Sequence, residues 1–247
     1  MRAAVKPLLA WISLALLAPA CATTGPHRGD SSASSEVIAR TPVEPDPAAT
    51  AETRWRVVAS ARKMLGKTSV QWPGNRYPDD CSGLVLGVYA SVGVPLTAAA
   101  HPGDSGVTAA WRWTSVHGRL FRTGRPDPGD LVFFHDTYDR DGDGKLDDGL
   151  THIALVESVD GDGTISIIHR VSRGVMRYRM NLDHPELRRD PRSGRLLNDW
   201  LRGSSGKGTP VLTGQLFAAF GAVLPPAPEG VRSPLPVLAP QPKDGDI

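Results

Sequence analysis

A cysteine stands at the start of a helical pattern and is the residue best suited to nucleophilic chemistry. Asp79 and Asp80, both residue types that cap helices, precede Cys81. Apolar residues then recur at spacings of three and four: Leu84, Val85, Val88, Tyr89 and Val92. Cys81 is therefore predicted in the first helical turn, where free backbone N–H groups and the helix dipole favour a thiolate. The alternative is a small buried cysteine at a helix end.

Two glycines in the same predicted helix indicate close packing. Gly83 and Gly87 lie one turn apart, and glycine inside a helix costs about 1 kcal/mol relative to alanine. We therefore expect another backbone segment to pass close to the Cys81 face of this helix.

Two histidines are candidates for the base that a thiol nucleophile requires. His152 and His169 lie in two predicted strands joined by a turn at residues 160–163. A symmetric turn would place Ala154 opposite His169, so His152 would be its diagonal neighbour on the same face, roughly 7–8 Å away between backbones. His169 could then orient His152 toward Cys81. A turn with an odd number of residues would instead separate the two rings, and each histidine alone could be a surface or structural residue.

An acidic segment before His152 resembles a calcium-binding loop. Aspartates alternate along residues 139–143, and Gly144 permits a sharp turn, so hard oxygen ligands could converge on a cation. The expected ligands are Asp139, Asp141, Asp143, Lys145 and Asp148. Leu150 stands where such loops carry a bidentate glutamate, and a plain solvent-exposed acidic loop is the alternative. A structural calcium ion is the one cofactor considered, since none is expected for catalysis.

The segments around the cysteine, the two histidines and the acidic loop are predicted to form a mixture of helices and strands. A first helix is expected from about residue 53 to 65, and a further helix over residues 107–113. The predicted strands cover residues 131–134, 151–156, 164–169 and 174–180. A last helix is predicted from the spacing of Leu212, Leu216, Phe220 and Val223.

Composition limits the chain to one ordinary globular core. With 247 residues, 40% hydrophobic residues and a net charge of +2, it shows no basic stripe for nucleic acid. The predicted organisation is a signal segment over residues 1–21, a disordered tether over 22–52, one domain over 53–224 and a proline-rich disordered tail over 225–247. We expect a monomer.

The N-terminal segment predicts export and lipid anchoring. Arg2 and Lys6 precede an apolar run over residues 8–18, too short to span a membrane, and small residues lead to Cys21. This junction resembles a bacterial lipobox, in which Cys21 would be acylated; ordinary signal cleavage is the alternative. Ala22 then favours the outer membrane, so the expected location is the cell envelope, in the periplasm. Because the chain has two cysteines, an acylated Cys21 would leave Cys81 as the remaining thiol.

Three motifs in a fixed order resemble the NlpC-type cell-wall cysteine peptidases, whose general plan the CHAP amidases share. They are DCSGLV at residues 80–85, PGDLVFF at 128–134 and HIALV at 152–156. The resemblance covers about residues 55–170. It implies a papain-like α+β fold, with N-terminal helices and the nucleophile at a helix start packed on an antiparallel sheet that carries the histidines. It also implies that Cys81 is the nucleophile, His152 the base and His169 the third, orienting residue.

The resemblance further implies a substrate, the peptide part of peptidoglycan, cleaved at an amide bond through an acyl-enzyme. Substrate contacts are expected from Asp80, Ser82, Trp72 and Tyr77. Val70 stands where these peptidases commonly carry a tyrosine, which puts the usual γ-D-glutamyl specificity in doubt, and Tyr77 is the candidate substitute. One alternative is a CHAP-like N-acetylmuramoyl-L-alanine amidase. The other is a non-catalytic, calcium-stabilised module that binds the wall.

Overall fold

The structure, a computed structural model, describes residues 46–203 and 209–226. The predicted signal segment, Cys21, and most of the predicted tether and tail lie outside the described residues. Within them the helices are α1 (Pro47–Arg62), α2 (Cys81–Ala90) and α3 (Gly106–His117). The strands are β1 (Arg119–Phe121), β2 (Leu131–His135), β3 (Leu150–Val159), β4 (Ile165–Val171), β5 (Gly174–Met180) and β6 (Phe217–Ala222). No helix in the described ranges is long and apolar enough to cross a membrane.

One sheet forms the centre of the described fold. Its six strands run in the order β1-β6-β2-β3-β4-β5, and every neighbouring pair is antiparallel. The three helices pack on one face, where Ile153 and Leu155 of β3 join the apolar residues of α2. On the other face Ala154 and Val156 pack with residues of β2, β4 and β6 and with Leu216. The expected α+β class with an antiparallel sheet is confirmed.

The first helix begins earlier than the sequence prediction. α1 starts at Pro47, six residues before the predicted domain boundary at residue 53, because Asp46 caps it by accepting from Ala48 N at 2.9 Å and proline occupies the first turn. Arg54 fastens this helix to the sheet, since its Nη1 donates at 2.9 Å to the buried Asp130 carboxylate. The predicted tether therefore ends before α1.

The glycines of α2 have the close neighbours that the sequence predicts. A side chain at Gly83 would collide with the backbone carbonyl of Pro78, and one at Gly87 would collide with the indole of Trp72. The indole Nε1 also donates to Gly83 O at 3.1 Å. The prediction of a close backbone neighbour is thus correct at Gly83, whereas at Gly87 the close neighbour is a side chain.

The last predicted helix is wrong. The segment that carries Leu216 and Phe220 leads into β6, which lies between β1 and β2. A spacing of four residues places side chains on one face of a strand as well as of a helix, since four is a multiple of two. Both residues indeed pack on the same face of the sheet. Gly221, which lies against the Phe133 ring, has no room for a side chain.

The hairpin of β3 and β4 reaches its expected register by an unexpected route. Asp160 pairs with Thr164, so the loop holds an odd number of residues and the symmetric turn is wrong. A bulge between Val156 and Ser158 restores the register, which places Leu155 opposite Ile168. The extra residue in the turn and the extra residue in the bulge therefore cancel. As a result, the strand positions that carry the two histidines fall on one face of the sheet.

Candidate active site

Cys81 is the first residue of α2, and its sulfur lies against β3. Asp80 caps the helix, with Oδ1 accepting from Gly83 N at 2.9 Å and from Ser82 Oγ at 2.7 Å. The cysteine is half-buried, and the backbone N–H of Ile153 is a hydrogen-bond donor near its sulfur. Ile153 follows His152 directly, so the thiol lies against the residue next to the first histidine in β3.

The surroundings of the Cys81 thiol disfavour the predicted resting thiolate. Burial, and next the carboxylate of Asp80, raise its pKa to about 12. The backbone N–H groups of Ile153, Ser82 and Cys81 itself act in the opposite direction but do not prevail. The expected activation by the helix start is therefore outweighed, and the sulfur carries its proton at neutral pH.

The two imidazoles are in direct contact. Nε2 of His152 lies 2.8 Å from Nδ1 of His169, and the rings are inclined at 83°. His152 is 8% exposed and His169 is fully buried. Burial lowers the pKa of His152 to about 4 against the opposing effect of Asp80, and burial followed by the neighbouring His152 lowers the pKa of His169. Both rings are therefore neutral at pH 7.

No hydrogen bond joins the Cys81 sulfur to either imidazole within residues 46–203 and 209–226. His152 uses Nε2 for His169, so Nδ1 is the nitrogen left for exchanging a proton with a thiol. Catalytic hydrogen bonds are often long before substrate binds, so this arrangement is compatible with a nucleophile and its base. Chemically, it can supply a neutral thiol and, on the strand that the thiol packs against, a neutral imidazole oriented by His169.

The residues expected to contact substrate have mixed positions. Ser82 is 1% exposed and donates to Asp80, which in turn caps α2, so both serve the helix start. Trp72 packs on α2 and Tyr77 is half-buried against the same apolar cluster. Val70, at the position of the family's tyrosine, is 3% exposed and belongs to the core.

The acidic loop gathers three of its five expected ligands. Carboxylate oxygens of Asp139, Asp141 and Asp148 lie within 4.8 Å of one another. Asp143 instead accepts from Lys145 Nζ at 2.8 Å, so neither of these two residues joins the group. Among the described residues, the donor set fits a hard cation such as Ca²⁺ through three carboxylates.

Two tyrosines near the candidate site were missed by the sequence reasoning. Tyr138 is 51% exposed, and its pKa is raised first by partial burial and then by its electrostatic interaction with Cys81. It lies in the acidic insertion, where no motif marks it. Tyr178 places its ring 4.3 Å from that of His169. Strand alternation could have found Tyr178, since it lies two residues from Met176, the partner of His169.

The comparison with protein families agrees with the sequence motifs. Residues 72–170 match the CHAP domain family. A search of curated proteins gave no match. Among solved structures, NlpC1 from Trichomonas vaginalis is similar at 21% identity and a TM-score of 0.32, over 51% of this chain and 38% of that one, so the chain spans well under half of its length. The matched CHAP segment holds Cys81, His152 and His169, so the chain is similar to the CHAP domain family over the residues that carry the candidate site.

Proposed function

We propose that this protein is an exported cysteine hydrolase that cleaves an amide bond in peptidoglycan peptides through an acyl-enzyme on a papain-like scaffold. The observation that carries the proposal is the meeting of the Cys81 helix start with the strand of His152, whose ring is hydrogen-bonded at 2.8 Å to His169. All three residues lie in the segment that matches the CHAP family. In this assignment Cys81 is the nucleophile, His152 the base and His169 the orienting residue.

The Cys81 thiol and the His152 imidazole are both neutral before the reaction, so the thiol must lose its proton during the attack. Since burial holds Cys81 as a thiol and His152 as a neutral imidazole, the thiol proton passes to His152 Nδ1 as the sulfur attacks the carbonyl carbon. The N–H groups of Cys81 and Ser82 at the helix start are donors suited to the resulting oxyanion.

Collapse of the tetrahedral intermediate completes the first half-reaction. The carbon–nitrogen bond breaks, the imidazolium gives its proton to the leaving amine, and a thioester remains on Cys81. Water then gives a proton to His152 as its oxygen attacks the thioester. The carboxylic acid leaves and the proton returns to sulfur, so both half-reactions balance.

A second candidate is an N-acetylmuramoyl-L-alanine amidase, which cuts between the sugar and the peptide. The CHAP match favours it, and the burial of Val70 at the position of the family's tyrosine removes one contact expected for the usual peptidase specificity. Digestion of purified cell wall separates the candidates. New amino groups within the peptides indicate a peptidase, whereas intact peptides released from sugar indicate an amidase.

The same digestion includes a matched pair of controls. Cys81→Ala and Cys81→Ser should fold like the wild-type protein and release no products. Failure of the wild-type protein itself to release ends, together with retained binding to the wall, would indicate the non-catalytic wall-binding module instead.

We propose that Asp139, Asp141 and Asp148 bind a structural Ca²⁺. A cation would offset the mutual repulsion of three carboxylates and order the segment that enters β3 before His152. Thr137 N already donates to Thr151 Oγ1 at 2.8 Å at the base of this loop, so loop order is transmitted to the strand. Calorimetry at millimolar Ca²⁺ should show binding for the wild-type protein and not for Asp141→Asn. Asp147→Asn, an exposed neighbour outside the group, should bind like the wild type.

We also propose that Cys21 is acylated and holds the protein in the cell envelope, at the outer membrane. Its motivation is the apolar run that ends at small residues before Cys21. Replacement of Cys21 by serine should move the protein from the membrane fraction to the soluble fraction. Unchanged fractionation would contradict the anchor.

A further inference from the structure

One ring nitrogen in the candidate site has no hydrogen-bond partner although it is enclosed by protein. Nε2 of His169 is buried, without a donor or acceptor among the described residues, while Nδ1 of the same ring lies 2.8 Å from His152 Nε2. Buried polar atoms are normally paired, and leaving one unpaired costs about 1–3 kcal/mol. The surroundings of this nitrogen therefore decide whether it carries a proton.

The contact between the two histidines allows two proton arrangements. In the first, His169 donates through Nδ1, its Nε2 is an unpaired lone pair, and neutral His152 carries its own proton on Nδ1. In the second, His152 donates through Nε2, His169 carries its proton on Nε2, and Nδ1 of His152 is a free lone pair. Only the second arrangement leaves His152 able to take the thiol proton.

The aromatic neighbour of His169 discriminates between these arrangements. The centroids of the Tyr178 and His169 rings lie 4.3 Å apart, and the ring planes are inclined at 68°, so the two rings meet edge to face. The face of an aromatic ring is negative, which attracts an N–H group and repels a lone pair. The Tyr178 hydroxyl accepts from Arg173 Nη2 at 3.2 Å, which holds the ring in place.

We propose that Tyr178 is a positioning residue that receives the Nε2–H of His169 on its ring and thereby keeps the Nδ1 lone pair of His152 free to act as a base. Tyr178 acts through His169 and does not reach the reacting atoms. The part of this inference that concerns catalysis rests on the proposed function, whereas the proton arrangement of the two histidines does not.

The tautomers can be read directly in the ¹⁵N-labelled protein by long-range proton–nitrogen correlation of the imidazole rings at pH 7. We expect His169 to be protonated at Nε2 in the wild type and in Tyr178→Phe, which keeps the ring. In Tyr178→Leu we expect a substantial population protonated at Nδ1. Protonation of His169 at Nδ1 in the wild type would overturn the inference, even if the leucine variant failed to fold. An unchanged tautomer in a folded leucine variant would also overturn it.

Kinetics supply the second readout. In Tyr178→Leu the arrangement with a free lone pair on Nδ1 of His152 should become the minor one, so kcat should fall roughly tenfold with KM unchanged. In Tyr178→Phe, which keeps the ring, kcat should stay within about threefold of the wild type. An equal loss in both variants would implicate the hydroxyl and contradict a role for the ring. Hydrolysis that survives in Cys81→Ala would refute the proposed function separately, since the tautomer measurement needs neither substrate nor activity.

Discussion

Removing the charge of Glu157 is predicted to destabilise the sheet strongly. It is the extra residue of the β3 bulge, and its fully buried carboxylate binds two arginines, with Arg62 Nε at 2.5 Å and Arg177 Nη2 at 2.7 Å. Glu157→Gln leaves both guanidinium groups without their counter-charge. Removing one partner from a buried ion pair costs roughly 3–5 kcal/mol. Because the arginine side chains are 19% and 16% exposed and can regain some water, we expect about 3 kcal/mol.

The measurement is urea unfolding at 25 °C, compared with a control in the same hairpin. Asp160→Asn removes a carboxylate that pairs with Arg195 at 2.6 Å, but both side chains are about 40% exposed. Exposed pairs contribute roughly 0–1 kcal/mol, so the control should lose less than about 1 kcal/mol. Equal losses in the two variants would refute the reasoning that burial makes the Glu157 cluster the stronger one.

Two further predictions concern the site and its helix. Burial lowers the pKa of His152 from 6.5 to about 4, so activity should fall as pH drops through about 4. Because the unfolded chain binds this proton at a higher pH than the folded protein, protonation favours unfolding. A denaturation series should therefore show the free energy of unfolding falling by about 3 kcal/mol between pH 7 and pH 4. Stability that is flat over this range would contradict a buried neutral His152. Gly83→Ala should cost about 3 kcal/mol because its methyl group meets the Pro78 carbonyl, whereas Gly161→Ala, with open space around it, should change the unfolding midpoint little.

The helix at Cys81 was predictable because its signals are local. Asp80 as the cap, Gly83 as a close-packed position and the apolar spacing all lie within a few residues. The strand Gly174–Met180 was likewise predictable from a short β-rich run. In both cases short-range preferences agree with the tertiary contacts, so the sequence pattern suffices.

Other features depend on partners that are distant in the chain. The bulge at Glu157 is stabilised by Arg62 and Arg177, so the odd loop and its compensation could not be read from residues 160–163 alone. Leu216 and Phe220 fit a strand or a helix until β1 and β2 are known to flank them. The thiol's raised pKa arises from tertiary burial, which the helix-start pattern does not contain.

The central claim is that Cys81 forms a covalent bond with the acyl part of a wall peptide. Acid quenching of the protein during digestion of purified peptidoglycan, followed by mass spectrometry of its fragments, tests this claim most directly. We expect the Cys81 fragment to gain the mass of a peptide acyl group, and no such gain in Cys81→Ala, which should also release no products. Hydrolysis by Cys81→Ala at the wild-type rate would contradict the assignment of the nucleophile.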